Sequence, residues 1–167
     1  GEMADYHDTE WGKVLRGDTA LFERMTLEAF QSGLSWAIIL RKRQNFREAF
    51  AGFDIPTVAA FDESDNARLM ADAGIVRNRL KIDATINNAR VAADLDIGLD
   101  ELLWSFAPKH HQPPRSFAEV PATTAESTAL AKELKRRGFR FVGPTTAYAL
   151  MQATGMVNDH LVGCPAR

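Results

Sequence analysis

The chain has 167 residues, 46% of them hydrophobic and 25% charged, with a formal net charge of −2 and one cysteine, Cys164. This supplies a core for one domain or two small ones, and it excludes an internal disulfide framework and a protein that coats nucleic acid through bulk positive charge. The longest apolar run, residues 36–40, is far short of a membrane span; no basic-then-apolar leader is visible, and with the lone cysteine this points to a reducing cytosol.

The hydrophobic pattern is helical along the whole chain. Asp18 reads as an N-cap, and Leu21, Phe22, Met25, Leu27 and Phe30 follow at helical spacing up to a break at Gly33. Ser35 starts the next helix, with Ile38, Ile39, Phe46, Ala49 and Phe50 inward, ending near Gly52. Pro56 fits the first turn of a short helix through Phe61, and residues 63–73 form another, stopped by Gly74. Asn78 caps a long helix through about Leu95, with Ile82, Ile86, Ala89 and Val91 on or near its apolar face. Residues 99–106 are short and apolar. The stretch 107–121 holds four prolines and reads as irregular. A strong helix over 125–137 ends at Gly138, and Pro144 opens a last one that stops at Gly155. No run alternates as a strand does. The expected fold is all-α, a compact helical domain over residues 1–167.

Basic residues gather at Arg41-Lys42-Arg43, at Arg77, Arg79 and Lys81, and at Lys132, Lys135, Arg136, Arg137 and Arg140. Each group taken alone reads equally as a solvated helix face. The last group precedes a distinctive turn, Phe139-Arg140-Phe141-Val142, between the two final helices. Glycine at 143 lets another backbone come close, and proline at 144 loses only an N–H that had no helical partner. The free amides near Gly143, Thr145 and Thr146 then face an anion at the positive end of a helix dipole, with threonine hydroxyls as further donors. That arrangement binds a phosphate diester without reading sequence. A plain helical hairpin in a bundle is the competing reading.

The segment "FVGPTTA" resembles the hairpin of the helix-hairpin-helix DNA repair glycosylases, and residues 125–155 read as that motif. The blocks "YHDTEWG", "LEAFQSGLSW", "AGIVRNRLKI", "LLWSF" and "KRRGFRFVGPTTAYALMQATGMVNDHLVGC", in this order over nearly the whole chain, resemble the 3-methyladenine DNA glycosylase I family of bacteria. The resemblance implies a cytoplasmic bacterial enzyme that acts as a monomer on double-stranded DNA containing 3-methyladenine, flips the damaged base and hydrolyses its N-glycosidic bond.

Such an enzyme must recognise an extruded cationic base. Glu28, among Leu27, Ala29 and Phe30, is the candidate carboxylate; Tyr6 and Trp36 are the candidate stacking faces, which attract a flat cation. The resemblance assigns base contact to these three positions, whereas residue by residue Glu28 also reads as an exposed helix position and Trp36 as core. At Met3 the family tends to have a second pocket tyrosine. Gly33 and Leu34 lie in the break between two helices, and Leu34 is the candidate wedge that fills the gap left by the nucleotide, with a core leucine as the alternative. Bifunctional members of the wider superfamily place a Schiff-base lysine two residues after the hairpin's second glycine. Here that residue is Thr145, so strand cleavage by that route is not expected. The superfamily's catalytic aspartate, two residues before a histidine, falls on Asn158. Water is the expected nucleophile, with the charge on the base as the main activation and Glu28 or Asp159 as possible assistants.

His160 and Cys164 stand four residues apart, a spacing used in zinc sites. The family joins its termini through a structural zinc held by two cysteines and two histidines, and His7, His160 and Cys164 match three of those positions. The fourth, a cysteine before residue 6, is absent from this chain. His110 and His111 read as solvent-facing or near DNA. Two alternatives to an active glycosylase remain: a catalytically impaired helix-hairpin-helix DNA-binding protein, favoured by the missing cysteine, and a helical adaptor with no nucleic-acid role.

Overall fold

The computed structural model describes residues 1–167 and is all-α. In chain order the helices are α1 (Glu2–Thr9), α2 (Asp18–Gln31), α3 (Trp36–Arg41), α4 (Arg43–Ala49), α5 (Ile55–Ala59), α6 (Glu63–Met70), α7 (Arg79–Ala93), α8 (Leu99–Trp104), α9 (Ala125–Arg137) and α10 (Pro144–Ala153), with single 3-10 turns at Ala51–Phe53 and Phe117–Glu119. Local chemistry sets most starts. Ser35 accepts from the Ile38 amide, Asp54 from Thr57 and Asn78 from Lys81. Asp62 with Asp65, and Thr124 with Ser127, form reciprocal capping boxes at α6 and α9.

α2 is the central element. Leu21, Phe22, Met25, Leu27 and Phe30 are buried on it, and α3, α5, α7, α8 and α10 pack around it. Phe30 meets Phe46 with ring centres 4.9 Å apart, and Phe50 stacks on Phe53 at 5.7 Å. Such pairs add about 0.5–1.5 kcal/mol each beyond the area they bury. One cluster of 32 buried residues runs from α2 to Val157, so all these helices share a core. No helix is long and apolar enough to cross a membrane.

Several boundaries differ from the sequence reading. Asp18 does not cap α2; Gly17 holds that place, and Asp18 Oδ1 instead accepts from the Asp100 amide at 2.8 Å while Asp100 Oδ2 accepts from the Gly17 amide at 2.5 Å. The two aspartates therefore cap each other's helices at the surface. The helix expected from Ser35 to Gly52 is two, because at Lys42 the amide is shared between the carbonyls of Ile38 and Ile39, both at 3.1 Å, and α4 starts afresh. α6 stops at Met70, short of 73, since the Asp72 carboxylate takes the Gly74 amide at 2.8 Å and offers the backbone a turn instead. α1 had no place in the sequence reading at all.

The start of the chain lies against its end. The Leu15 amide donates to the Thr154 carbonyl at 2.9 Å. Gly155 (φ +76°) and Gly12 (φ +78°) are both left-handed, and an added Cβ would stand 2.6 Å from Val14 N and 2.9 Å from His160 Cδ2 respectively. Only glycine meets both demands, and the consequence is that α1 sits beside residues 156–164.

Candidate active site

α1 brings Tyr6 and His7 to one cavity of about 700 Å3, whose wall also includes Trp11, Trp36, Asp159 and His160. Tyr6 is buried, and its ring lies 5.4 Å from that of Trp36, tilted by 47°. The indole Nε1 of Trp36 is buried and has no protein partner. Met3 stands on the same wall, half exposed, with the exposed Phe117 beside it.

Glu28 is buried at 7% exposure, which settles its environment against the exposed-helix alternative. It does not line the cavity; it lies one helical turn beyond Arg24, which donates to the Tyr6 hydroxyl at 2.8 Å. Burial pushes the Glu28 carboxyl up to about 7, with the Arg24 charge the opposing influence. Tyr6 is likewise pushed up to about 12 by burial. Glu28 is thus a buried carboxyl with no protein hydrogen bond, behind the cavity wall and near enough to Tyr6 for its charge to push the Tyr6 hydroxyl further up. Such a group attracts a cation or a donor-rich planar ligand more strongly than a solvated one would.

Asp159 is the site residue the sequence reading underweighted. It is buried at 3% exposure and receives Tyr148 Oη at 2.5 Å and Gln152 Nε2 at 3.0 Å on one oxygen, and His111 Nε2 lies 2.7 Å from the other. His111 is therefore not a free solvent-facing residue, a correction to the sequence reading; the proline-rich segment folds back and places it on Asp159. Only the spacing of Tyr148 and Gln152 on one face of α10 hinted at this cluster. Asn158, by contrast, binds locally: its Oδ1 accepts from the His160 amide at 3.1 Å.

His7, His160 and Cys164 come together with their ligand atoms within 4.8 Å of one another, a cluster able to coordinate a metal ion. His7 Nε2 is 3.1 Å from His160 Nδ1, and Cys164 Sγ is 3.7 Å from the same nitrogen. A tetrahedral zinc, with Zn–N about 2.0–2.1 Å and Zn–S about 2.3 Å, separates its ligands by about 3.3 Å (N to N) and about 3.6 Å (N to S). The other ring nitrogens are engaged: His160 Nε2 with the Trp11 carbonyl at 2.6 Å, His7 Nδ1 with Asp8 at 2.8 Å. These are the outer contacts that aim imidazole lone pairs at a metal. The donor set fits zinc.

The hairpin is formed as its glycines require. Gly138 is left-handed at φ +102°, its amide donates to Lys135 O at 3.1 Å and the Phe139 amide to Leu134 O at 3.0 Å, which ends α9. α7 holds the turn: Asn88 Nδ2 donates to Arg140 O at 2.9 Å, Asn88 Oδ1 accepts the Arg140 amide at 2.8 Å, and Asn87 Nδ2 donates to Gly138 O at 2.8 Å. Gly143 (φ −79°) has open space where a Cβ would stand. No packing or backbone demand inside the chain requires glycine there. It leads directly into Pro144, Thr145 and Thr146, the exposed first turn of α10.

The charges beside the hairpin divide into two classes. Arg136 and Arg137 are both held by Glu133, at 2.5 and 2.6 Å. Lys132, Lys135 and Arg140 line a groove with Phe141 and Gly143 and are exposed. At the other helix break, Gly33 is exposed, and Leu34 is half-buried and packs against the core, its carbonyl accepting from Gln31 Nε2 at 2.6 Å. Lys81 Nζ donates to the carbonyls of Phe30 and Ser32, at 2.9 and 2.8 Å, and so holds the turn that carries Gly33 and Leu34.

A family model described as methyladenine glycosylase matches residues 1–167. The DNA-3-methyladenine glycosylase 1 of Escherichia coli (strain K12) is 47% identical over 166 residues, which is 95% of this chain and 88% of the relative. The DNA-3-methyladenine glycosylase of Haemophilus influenzae is 41% identical over 170 residues, 98% of this chain and 91% of the relative. A crystal structure of 3-methyladenine DNA glycosylase I with one tyrosine changed to phenylalanine, in complex with 3-methyladenine, aligns with a TM-score of 0.92 at 32% identity, covering 98% of this chain and 90% of that one.

Proposed function

The chain belongs to the methyladenine glycosylase family, and from that premise we propose how its own residues carry out the excision of 3-methyladenine from DNA. It is a monofunctional DNA-3-methyladenine glycosylase. The observation that carries the residue assignment is Glu28, a buried carboxyl one helical turn from the Arg24 that holds the Tyr6 hydroxyl, with Tyr6 paired to Trp36.

The N3-methylated base is cationic, so its bond to the sugar is weak, and selection against ordinary adenine is the larger task. Tyr6 and Trp36 stack on the flat cation, and Glu28 accepts from its N–H groups, each aromatic contact contributing roughly 0.5–2 kcal/mol. Water attacks C1′ of the sugar as the C–N bond breaks. The bond's electron pair stays with the base, which leaves neutral, and the water's proton passes to solvent. Thr145 stands where a bifunctional enzyme would carry an amine, so no Schiff base forms and the strand stays intact. Asp159, oriented by its three partners, stabilises positive charge that develops on the sugar.

Gly143, Thr145 and Thr146 hold a phosphate on the first turn of α10, and Leu34, on the turn after Gly33, fills the space the base vacates. His7, His160 and Cys164 hold a structural zinc that pins α1, and with it Tyr6, to the end of the chain. The protein works as a monomer in the bacterial cytoplasm.

The direct test is to incubate the protein with methylated duplex DNA and to chromatograph the released bases. Free 3-methyladenine with little 7-methylguanine supports the reading. DNA binding with no base released would leave a catalytically impaired DNA-binding protein instead.

A further inference from the structure

Arg24 is buried at 4% exposure, one turn before Glu28 on α2. Nη1 donates to the Tyr6 hydroxyl at 2.8 Å, and the guanidinium carbon lies 5.3 Å from the centre of the Tyr6 ring. Nη2 reaches Glu10 Oε1 at 3.5 Å, and Glu10 receives Arg43 through two bonds at 2.7 and 3.1 Å. Nε is buried with no partner. A buried cation is an unexpected neighbour for a cavity that takes a cationic base, because it opposes that charge. It must therefore do something else there.

We propose that Arg24 is a positioning residue for base recognition: it fixes the Tyr6 ring against Trp36 and places a positive charge one helical turn from the Glu28 carboxyl. The inference rests on the reading of that cavity as the base site. A buried carboxyl with no hydrogen-bond donor takes up a proton unless a positive charge is near, and a protonated Glu28 has lost part of its capacity to accept from the base. Arg24 is the cation placed to oppose this. Around α2, the 3-10 turn at Ala51–Phe53 and α5 carry no charge, and α10 offers only Tyr148, bonded to Asp159. α7 faces α2 with Lys81, which is occupied by the Phe30 and Ser32 carbonyls, while its Arg79 and Asp83 pair with each other and with Glu63 and Asn66, and Arg90 binds the Ala59 and Phe61 carbonyls. On α8, Asp100 pairs with Arg16 and Glu101 is exposed; on α3, Arg41 is exposed; α1 presents Tyr6, with Glu10 behind it.

The test measures binding of free 3-methyladenine by calorimetry from pH 5.5 to 9 for wild type, Arg24→Gln and Arg24→Lys. The ligand's own titration is common to all three and cancels in the comparison. Arg24→Gln, which is neutral, moves the acid limb of binding up by about one pH unit or more. Arg24→Lys keeps the charge without the planar fork, so its limb stays with wild type while its affinity falls several-fold through loss of the Tyr6 contact. Affinity for duplex DNA carrying an abasic-site analogue, held by the hairpin, is unchanged in a folded variant. An Arg24→Gln limb that coincides with wild type overturns the electrostatic part, and full affinity in Arg24→Lys overturns the positioning of Tyr6. If wild type itself binds no 3-methyladenine, the base-site reading fails first, and the two failures are thereby distinct.

Discussion

His7 Nε2 and His160 Nδ1 face each other at 3.1 Å, although 153 residues separate them in the chain. Each ring has its other nitrogen on an oxygen acceptor, Asp8 for His7 and the Trp11 carbonyl for His160. With both rings neutral, each turns a lone pair into the gap, where a proton or a metal ion between them relieves the repulsion. Zinc bound there would join α1 to the end of the chain. Protein purified without chelator is expected to contain about one zinc per chain by elemental mass spectrometry. Removing it should lower the melting temperature and weaken 3-methyladenine binding together, because Tyr6 rides on the same helix as His7. His7→Ala should do the same, and a metal-free protein with full base affinity would separate the cluster from the site.

Glu28 has a cost to stability that grows with pH. Its carboxyl is raised to about 7 by burial, against 4.5 for an ordinary glutamate. A raised carboxyl favours folding below the unfolded value and loses that advantage as pH climbs through the folded one. The penalty of keeping Glu28 therefore rises between pH 5 and pH 8, by about 2 kcal/mol from the linkage relation. Glu28→Gln should gain stability over wild type across this window, measured by denaturant unfolding at each pH, and should lose at least tenfold in single-turnover excision. A stability difference that does not change with pH would contradict the burial of this carboxyl.

Gly143 separates DNA binding from folding. A Cβ there meets nothing within 4 Å and φ is −79°, so Gly143→Ala should leave the melting temperature unchanged. The methyl stands where a phosphate must approach the first turn of α10, so affinity for duplex DNA should fall roughly tenfold or more, as seen by fluorescence anisotropy. Asn88→Ala should behave oppositely. It removes both ties to Arg140 and should cost about 1–3 kcal/mol in stability as well as weakening binding.

The basic residues near the hairpin differ in what is left for DNA. Arg136 and Arg137 already share Glu133, whose carboxyl is held down to about 2 by the two arginines. Lys135→Ala and Lys132→Ala are each expected to reduce the slope of log affinity against log salt by about 1, and Arg136→Ala to change it little. Equal slopes for all variants would remove the groove from the interface.

Much of this was legible in the sequence. The turn chemistry of Gly138 and Pro144 and the caps at Ser35 and Asn78 are local rules, and the helices they bound lie where those residues put them. What escaped was set by distant partners. Asp18 reads as a cap for its own helix and serves the one beginning at Leu99, because the packing of α8 on α2 brings Asp100 beside it. α1 is short and mostly polar, with Tyr6 its one buried residue; its position depends on Gly12, Gly155 and the histidine pair, which no local pattern announces. The blocks around Tyr6, Glu28 and Trp36 marked the site, but the arginine beneath it and the burial of Asp159 needed the fold.

The central claim is that this chain releases 3-methyladenine from DNA and leaves the strand whole. It is tested most directly by a single-turnover reaction on 3-methyladenine-containing duplex, with wild type and Glu28→Gln side by side, reading both the free base and the strand before and after alkali. Wild type should release the base rapidly and the variant slowly, with strand breaks only after alkali. No base release by zinc-replete wild type, or strand breaks that appear without alkali, would contradict it.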